Sequence, residues 1–133
     1  MNITLTLPVS DQFLRDILCT ACEGGSNYWA NFRCTERSGD EWQRVKVKDI
    51  EAADLGTFDI TLTKLAAGIQ ILLTAKVGDT MPDEKLRESH FTVADSIKAT
   101  VYEALASLDA SNIDGDAADC ILQYACFGGI VYG

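Results

Sequence analysis

Residues 28–35 and 42–48 each alternate apolar and polar side chains, and Ser38-Gly39 lies between them. Period-two alternation on both sides of a glycine-containing turn demands an antiparallel hairpin, and a hairpin needs a further layer to cover its apolar face. A two-residue turn at Ser38-Gly39 sets Phe32 opposite Val45 and Ala30 opposite Val47. The other face then pairs Arg33 with Arg44, Asn31 with Lys46 and Trp29 with Lys48. Two shorter alternating runs extend the sheet. Residues 2–7 carry Ile3, Leu5 and Leu7 against threonines and stop at Pro8, and residues 58–62 form another short strand.

The covering layer is helical. Ser10 reads as the N-cap of a helix whose Phe13, Leu14, Ile17, Leu18 and Ala21 form one stripe, with Gly24 as its left-handed C-cap. Leu65, Ile69, Leu72, Leu73 and Lys76 mark a second helix over 63–77, in which Gly68 costs propensity. Val93, Ile97, Val101, Leu105 and Leu108 mark a third over 92–108, after a polar connection at 78–88 containing Pro82. Asp114 or Asp116 starts a fourth that ends near Phe127-Gly128, and the strand-like tail Ile130-Val-Tyr-Gly133 is expected to dock. The expectation is one α+β domain over 1–133: an antiparallel sheet of about four strands packed by about four helices. A chain of 133 residues suits a single core.

Charge limits the function classes. The chain holds 11 basic and 20 acidic residues, a net charge of -9. Residues 1–48 balance six acids with six bases, so the excess lies in 49–133, with fourteen acids and five bases. Such a domain is repelled by duplex DNA unless a local basic patch intervenes, so direct duplex binding is not expected; its acidity could instead imitate nucleic acid towards a basic partner. No apolar run is long enough to span a bilayer, and the N-terminal residues show no signal-peptide pattern, so no membrane association and an intracellular setting are expected.

The five cysteines, Cys19, Cys22, Cys34, Cys120 and Cys126, are odd in number and lack a secretion context, which argues against a disulfide framework. Cys19-Thr-Ala-Cys22 matches C-x-x-C, but it falls late in a helix, where the dipole does not favour a thiolate. A zinc site would need a second ligand pair, and Cys34 and His90 are scattered, so buried free thiols and no metal are expected. The segment from Asp109 to Asp116 fails as a calcium loop. With Gly115 at the sixth position, Ala110 and Ile121 occupy the first and twelfth, where carboxylates are required. The glycine pairs 24–25 and 128–129 follow helices rather than precede them, so neither is a phosphate loop. His90 has no base or nucleophile partner beyond its neighbour Ser89. No catalytic set and no cofactor are expected.

Two constellations remain. Asp116, Asp119 and Gln123 share one helix face, able to hold a ligand's polar groups but more simply a solvated or capping face. Trp29, Asn31, Arg33, Arg44 and Lys46 share the hairpin's polar face, with Trp42 nearby. An Arg33–Arg44 cross-strand pair calls for a compensating anion, whether a phosphorylated aromatic ligand, an acidic protein or acids of the chain itself.

Glu23-Gly-Gly-Ser-Asn-Tyr-Trp29, taken with Asp119 and Gln123-Tyr-Ala-Cys-Phe-Gly-Gly-Ile-Val-Tyr-Gly133, resembles a family of small proteins encoded by bacteriophages and prophages. That family reads E-G-G-x-N-Y-W early and D-x-x-x-Q-x-x-x-F-G-E-x-V-Y-G at the end. Here Gly129 stands in place of the glutamate, so any role of that carboxylate is absent. The resemblance implies a phage origin and a place in the host cytoplasm, not a mechanism. Small accessory phage proteins are often directed at host defence. The expected partners are therefore a nucleotide-like immune signal, captured by Asn27, Tyr28, Trp29, Asn31, Arg33, Arg44, Lys46, Gln123 and Tyr132, or a host nuclease or surveillance complex. A homodimer is a further expected arrangement. The two motifs, both rich in glycine and aromatics, are expected to lie against each other.

Overall fold

A computed structural model describes residues 1–4, 6–52, 55–74 and 93–133. Helix α1 (Asp11–Thr20) starts at Ser10, whose Oγ accepts the Phe13 N–H at 3.1 Å. Its stripe of Phe13, Leu14, Ile17 and Leu18 is buried as the periodicity requires. The helix does not end on a left-handed glycine. It runs into a five-residue π-helical turn, Ala21–Gly25, closed by the Ser26 N–H donating to the Ala21 carbonyl at 2.9 Å. Gly24 has φ 173°, which is extended backbone. It is Gly25 whose lack of a side chain matters, because a Cβ there would lie 2.6 Å from the Gly115 carbonyl oxygen.

The hairpin consists of β1 (Ala30–Ser38) and β2 (Glu41–Asp49). Ser38 pairs with Glu41, so the loop is Gly39-Asp40, one residue later than expected; Gly39 takes the positive φ of +62° that this turn requires. Moving the turn by one residue moves the register by two. Phe32 faces Val47, Ala30 faces Asp49, Asn31 faces Lys48 and Arg33 faces Lys46 rather than Arg44. An even shift leaves each side chain on its expected face. The register slips by one residue between Cys34 and Glu36 and slips back between Glu36 and Arg37, so the pairing on both sides of this irregularity is the same. Strand β3 (Thr57–Thr61) pairs antiparallel with β2, giving the order β1-β2-β3.

The sheet therefore has three strands among the described residues, not four. The described part of 2–7 forms no strand: Ile3 is 83% and Leu7 47% exposed. Alternation gave this segment the right pattern for a strand, but none of its described residues joins the sheet.

Three more helices complete the domain: α2 (Leu62–Thr74), α3 (Asp95–Ser107) and α4 (Gly115–Phe127). The continuation of α2 to 77, the connection 78–88 with Pro82, and His90 lie outside the described residues. Leu108 was expected on the buried side of α3. It instead ends the helix in the left-handed region, φ 54°, with 64% of its surface exposed. Asp114 caps α4 by accepting the Ala117 N–H at 2.9 Å, and Gly128, φ 76°, ends it. Helix α4 is the central element, with nine buried residues, including both Asp119 and Gln123. Gly68 allows α2 to pack closely on it, since a Cβ there would sit 2.9 Å from the Ala125 nitrogen.

Candidate functional site

The two sequence motifs meet in the interior. Asp119 projects from α4 into the turn that follows the π-helical segment. Its Oδ1 accepts from Ser26 Oγ at 2.7 Å and from Trp29 Nε1 at 2.8 Å. Its Oδ2 accepts from Tyr28 Oη at 2.6 Å and Gln123 Nε2 at 3.0 Å. Burial and the Asp119 carboxylate push the Tyr28 phenol well above its ordinary value, so it stays protonated and donates. Tyr28 thus reaches α4 and the C-terminal tail, although its ring remains half exposed.

Gln123 performs the second half of the same closure. Its Oε1 accepts the Val131 and Tyr132 N–H groups at 2.8 and 2.9 Å, and its Nε2 donates to the Tyr132 carbonyl at 2.9 Å. The tail therefore docks through a side-chain amide that substitutes for a strand partner. Tyr132 stacks on Trp29 with ring centroids 5.5 Å apart, and its hydroxyl donates to Asp49 Oδ2 at 2.7 Å. Asp49 Oδ1 in turn accepts the Glu51 and Ala52 N–H groups. Phe127 packs against Trp29, Tyr132 and Phe58.

This geometry corrects two expectations. Trp29 does not stand on the hairpin's polar face: it is fully buried, because it precedes β1 in a turn and its indole N–H is drawn to Asp119. Asp119 and Gln123 do not form a solvated face either; both are buried. Asp116 alone of that trio is exposed. Tyr28, Trp29, Gln123 and Tyr132 thus come together as a structural junction. Asn27, at its rim, is exposed in the turn.

The other sequence-selected residues lie on the outer face of the sheet, apart from that junction. Three cross-strand rows can be read from the pairing: Asn31–Lys48–Thr57, Arg33–Lys46–Asp59 and Glu36–Arg44–Thr61. Arg44 makes a bidentate contact with Asp59, through Nε to Oδ1 at 2.9 Å and Nη2 to Oδ2, and Lys46 Nζ lies 3.7 Å from Asp59 Oδ2. The Arg44 guanidinium holds the Asp59 carboxyl down to about 2. So an acid of the chain itself answers part of the positive face, and it pairs with Arg44. Arg33 and Lys48, both exposed, have no carboxylate partner among the described residues. Lys48 was placed opposite Trp29 on the expected register and was not singled out; the two-residue shift aligns it with Asn31 beside the Arg33–Lys46 row.

Nearer the turn, Arg37 lies over the Trp42 ring, 5.9 Å from its centroid. A cleft of about 260 Å³ between α1 and the hairpin end is lined by Arg15, Cys19, Cys22, Glu41 and Trp42, and the Arg15–Glu41 ion pair at 2.9 Å spans the two elements. The five thiols are unpaired. Cys19 is exposed and the other four are partly buried, so the expectation of buried thiols fails for Cys19 and holds only in part for the rest. Burial pushes the Cys22 and Cys120 thiols up to about 12, which leaves them protonated and poorly nucleophilic. Among the described residues no group of three potential ligands could hold a metal ion, and no helix is long and apolar enough to cross a membrane.

Comparisons with protein-family models, with curated proteins and with solved structures find no match.

Proposed function

We propose that this chain is a phage-encoded accessory protein that acts in the host cytoplasm against host defence by binding an anionic, nucleotide-like ligand. The motif resemblance supports the origin. The observation that carries the binding reading is the pair of exposed cations, Arg33 and Lys48, which have no carboxylate partner among the described residues and lie in the neighbouring Arg33–Lys46 and Asn31–Lys48 rows. Like charges directly opposite on a sheet are unfavourable, and an anion bridging Arg33 and Lys46 relieves that repulsion. Asn31 adds an amide able to donate or accept. Because Trp29 is buried, the ligand is held by charge-assisted hydrogen bonds to phosphate rather than by stacking on that indole.

The test is calorimetric titration with mono-, di- and cyclic nucleotides. Arg33→Ala should weaken binding about ten- to hundredfold, the loss of charge-assisted bonds of roughly 1.5–3 kcal/mol. The melting temperature should barely change, since Arg33 is exposed. Absence of binding by the parent, or equal binding by Arg33→Ala, would sink the reading.

A second reading rests on the opposite charge. Residues 93–133 hold six acids and one base, and Asp95, Glu103, Asp109, Asp114 and Asp116 are exposed. That distribution favours an acidic inhibitor that docks on a basic host nuclease or surveillance complex. Asp109→Lys with Asp116→Lys would abolish such docking and spare nucleotide binding.

A further inference from the structure

The outer sheet face brings four side chains to the corners of one cell of the strand pairing: Arg33 opposite Lys46, and Asn31 opposite Lys48 in the neighbouring row. Side chains opposed across two strands start about 5 Å apart, and same-face neighbours along a strand roughly 7 Å apart. The centre of the cell thus lies about 4 Å from each corner, within the reach of arginine and lysine stems. Arg33, Asn31 and Lys48 are exposed and Lys46 is partly exposed. The cell itself holds no carboxylate. Asp59, beyond Lys46 on β3, is held by Arg44, and Glu36 stands opposite Arg44 and accepts from Gln43. Across the three rows the cations Arg33, Arg44, Lys46 and Lys48 meet only the acids Asp59 and Glu36, so two positive charges are left over. No aromatic ring belongs to any of the three rows.

We infer that this face takes a terminal phosphate, the dianion of a phosphomonoester, in preference to the single charge of a bridging phosphodiester. The inference rests on the anion-binding reading above and names the chemistry of its ligand. A terminal phosphate carries about −1.5 to −2 charges at neutral pH and presents three free oxygens. A bridging diester carries one charge. The dianion matches the local excess of two, whereas a diester leaves one cation uncompensated. The donors match as well. The Arg33 guanidinium can give two parallel N–H bonds to one edge of the group, Lys46 and Lys48 can supply the third oxygen, and the Asn31 amide is a further donor. Acids elsewhere on the chain are screened beyond roughly 8 Å at physiological salt, so the local excess governs the contact. Because the rows contain no ring and Trp29 is buried, nothing in them stacks on a base. The phosphate is the recognised group, and the organic part attached to it contributes little.

Calorimetric titration of the full chain at constant ionic strength tests it, with linear adenosine monophosphate, ribose phosphate and cyclic adenosine monophosphate as probes. The two monoesters should bind alike, each about tenfold more tightly than the cyclic diester. From about pH 7.5 to about pH 5 the monoester affinity should fall roughly five- to tenfold, because the dianion takes up a proton near about pH 6. The cyclic diester has no such proton, and its affinity should change by less than about twofold; it is the control for protonation of Glu36 or any other group of the protein. Lysine and arginine stay charged across this window, and Asp59, held down to about 2 by Arg44, stays ionised. Lys48→Gln removes one of the two excess charges and should weaken the monoesters about tenfold and the cyclic diester only about two- to threefold. Equal binding of linear and cyclic probes would overturn the inference and leave the anion-binding reading standing. So would a monoester affinity indifferent to pH, binding of the linear nucleotide without ribose phosphate, or an equal loss for both ester classes in Lys48→Gln. A parent that binds none of the three probes would overturn both.

Discussion

Asp119 takes its hydrogen bonds from a hydroxyl, a phenol, an indole and an amide, all neutral donors. A buried carboxylate is tolerable on such terms, because each oxygen is fully engaged and little of its hydration is left unreplaced. The arrangement is intolerant of exchange. Asp119→Asn puts an NH2 group against two donors and should destabilise the protein by about 2–4 kcal/mol, a large share of a typical total of roughly 5–15 kcal/mol. Chemical denaturation would measure it; a variant as stable as the parent would contradict the junction described above. Asp59 makes the contrasting case at the surface. Its folded value, about 2, lies below the ordinary 3.8 because Arg44 holds the ionised form. The sign follows: the contribution is complete above about pH 4 and is lost as pH falls from there through about 2. Melting temperatures recorded across that window should fall more steeply for the parent than for Asp59→Asn. The difference should shrink in high salt, because the pair is exposed to solvent.

Helix α1 ends in a π-helical turn because two elements must approach closely there, Gly25 against Gly115 at the start of α4. A side chain at Gly25 would meet backbone, which cannot rotate away. Gly25→Ala should therefore cost about 1–3 kcal/mol by forcing α4 from the π-helical turn, and it should loosen the bonds that Ser26 and Trp29 make to Asp119. Thermal melting, with Trp29 fluorescence as a local probe, reads both effects. Gly24→Ala is the control: nothing lies within 4 Å of a Cβ at that position. The hairpin shows the complementary lesson. Its faces survive a misplaced turn because the side-chain period is two, yet its charge pairing does not. Moving Arg44 away from Arg33 and toward Asp59 changes which cation remains available to a ligand.

At the scale of the molecule, the net charge of -9 hides a polarity. Arg33, Arg44, Lys46 and Lys48 cluster on the outer sheet face, answered by Asp59 and Glu36, while the segment from 93 onward is acidic. The proposed anion site therefore sits in a field that opposes it, and long-range repulsion is screened by salt more strongly than contacts at the site. Ligand affinity should change little between about 50 and 200 mM salt, or even rise if the surrounding acids dominate, whereas docking of the acidic side on a basic host protein should weaken steeply. Measuring both affinities across that range separates the two readings without a mutation.

The local sequence by itself determined the α+β class, the hairpin's two faces, the Ser10 cap, a start of the last helix at Asp114 or Asp116, and the stripe of α1. Each depends on contacts within a few residues, where periodicity and capping chemistry act directly. The motif pairing was also legible as a suspicion, since both ends combine glycines with aromatics. What the tertiary structure alone decided is what each residue meets. Residues 2–7 carry a strand's pattern, but alternation reports which face is apolar, not whether a neighbouring edge is there to receive it. Leu108 fits the stripe of α3, yet the chain turns at that residue and exposes it. Trp29 continues the alternation of β1 outward, yet it is captured by an aspartate 90 residues later in the chain. A hydrogen bond at that separation leaves no periodic trace, so the same tryptophan that reads as a binding surface in one dimension is part of the core in three.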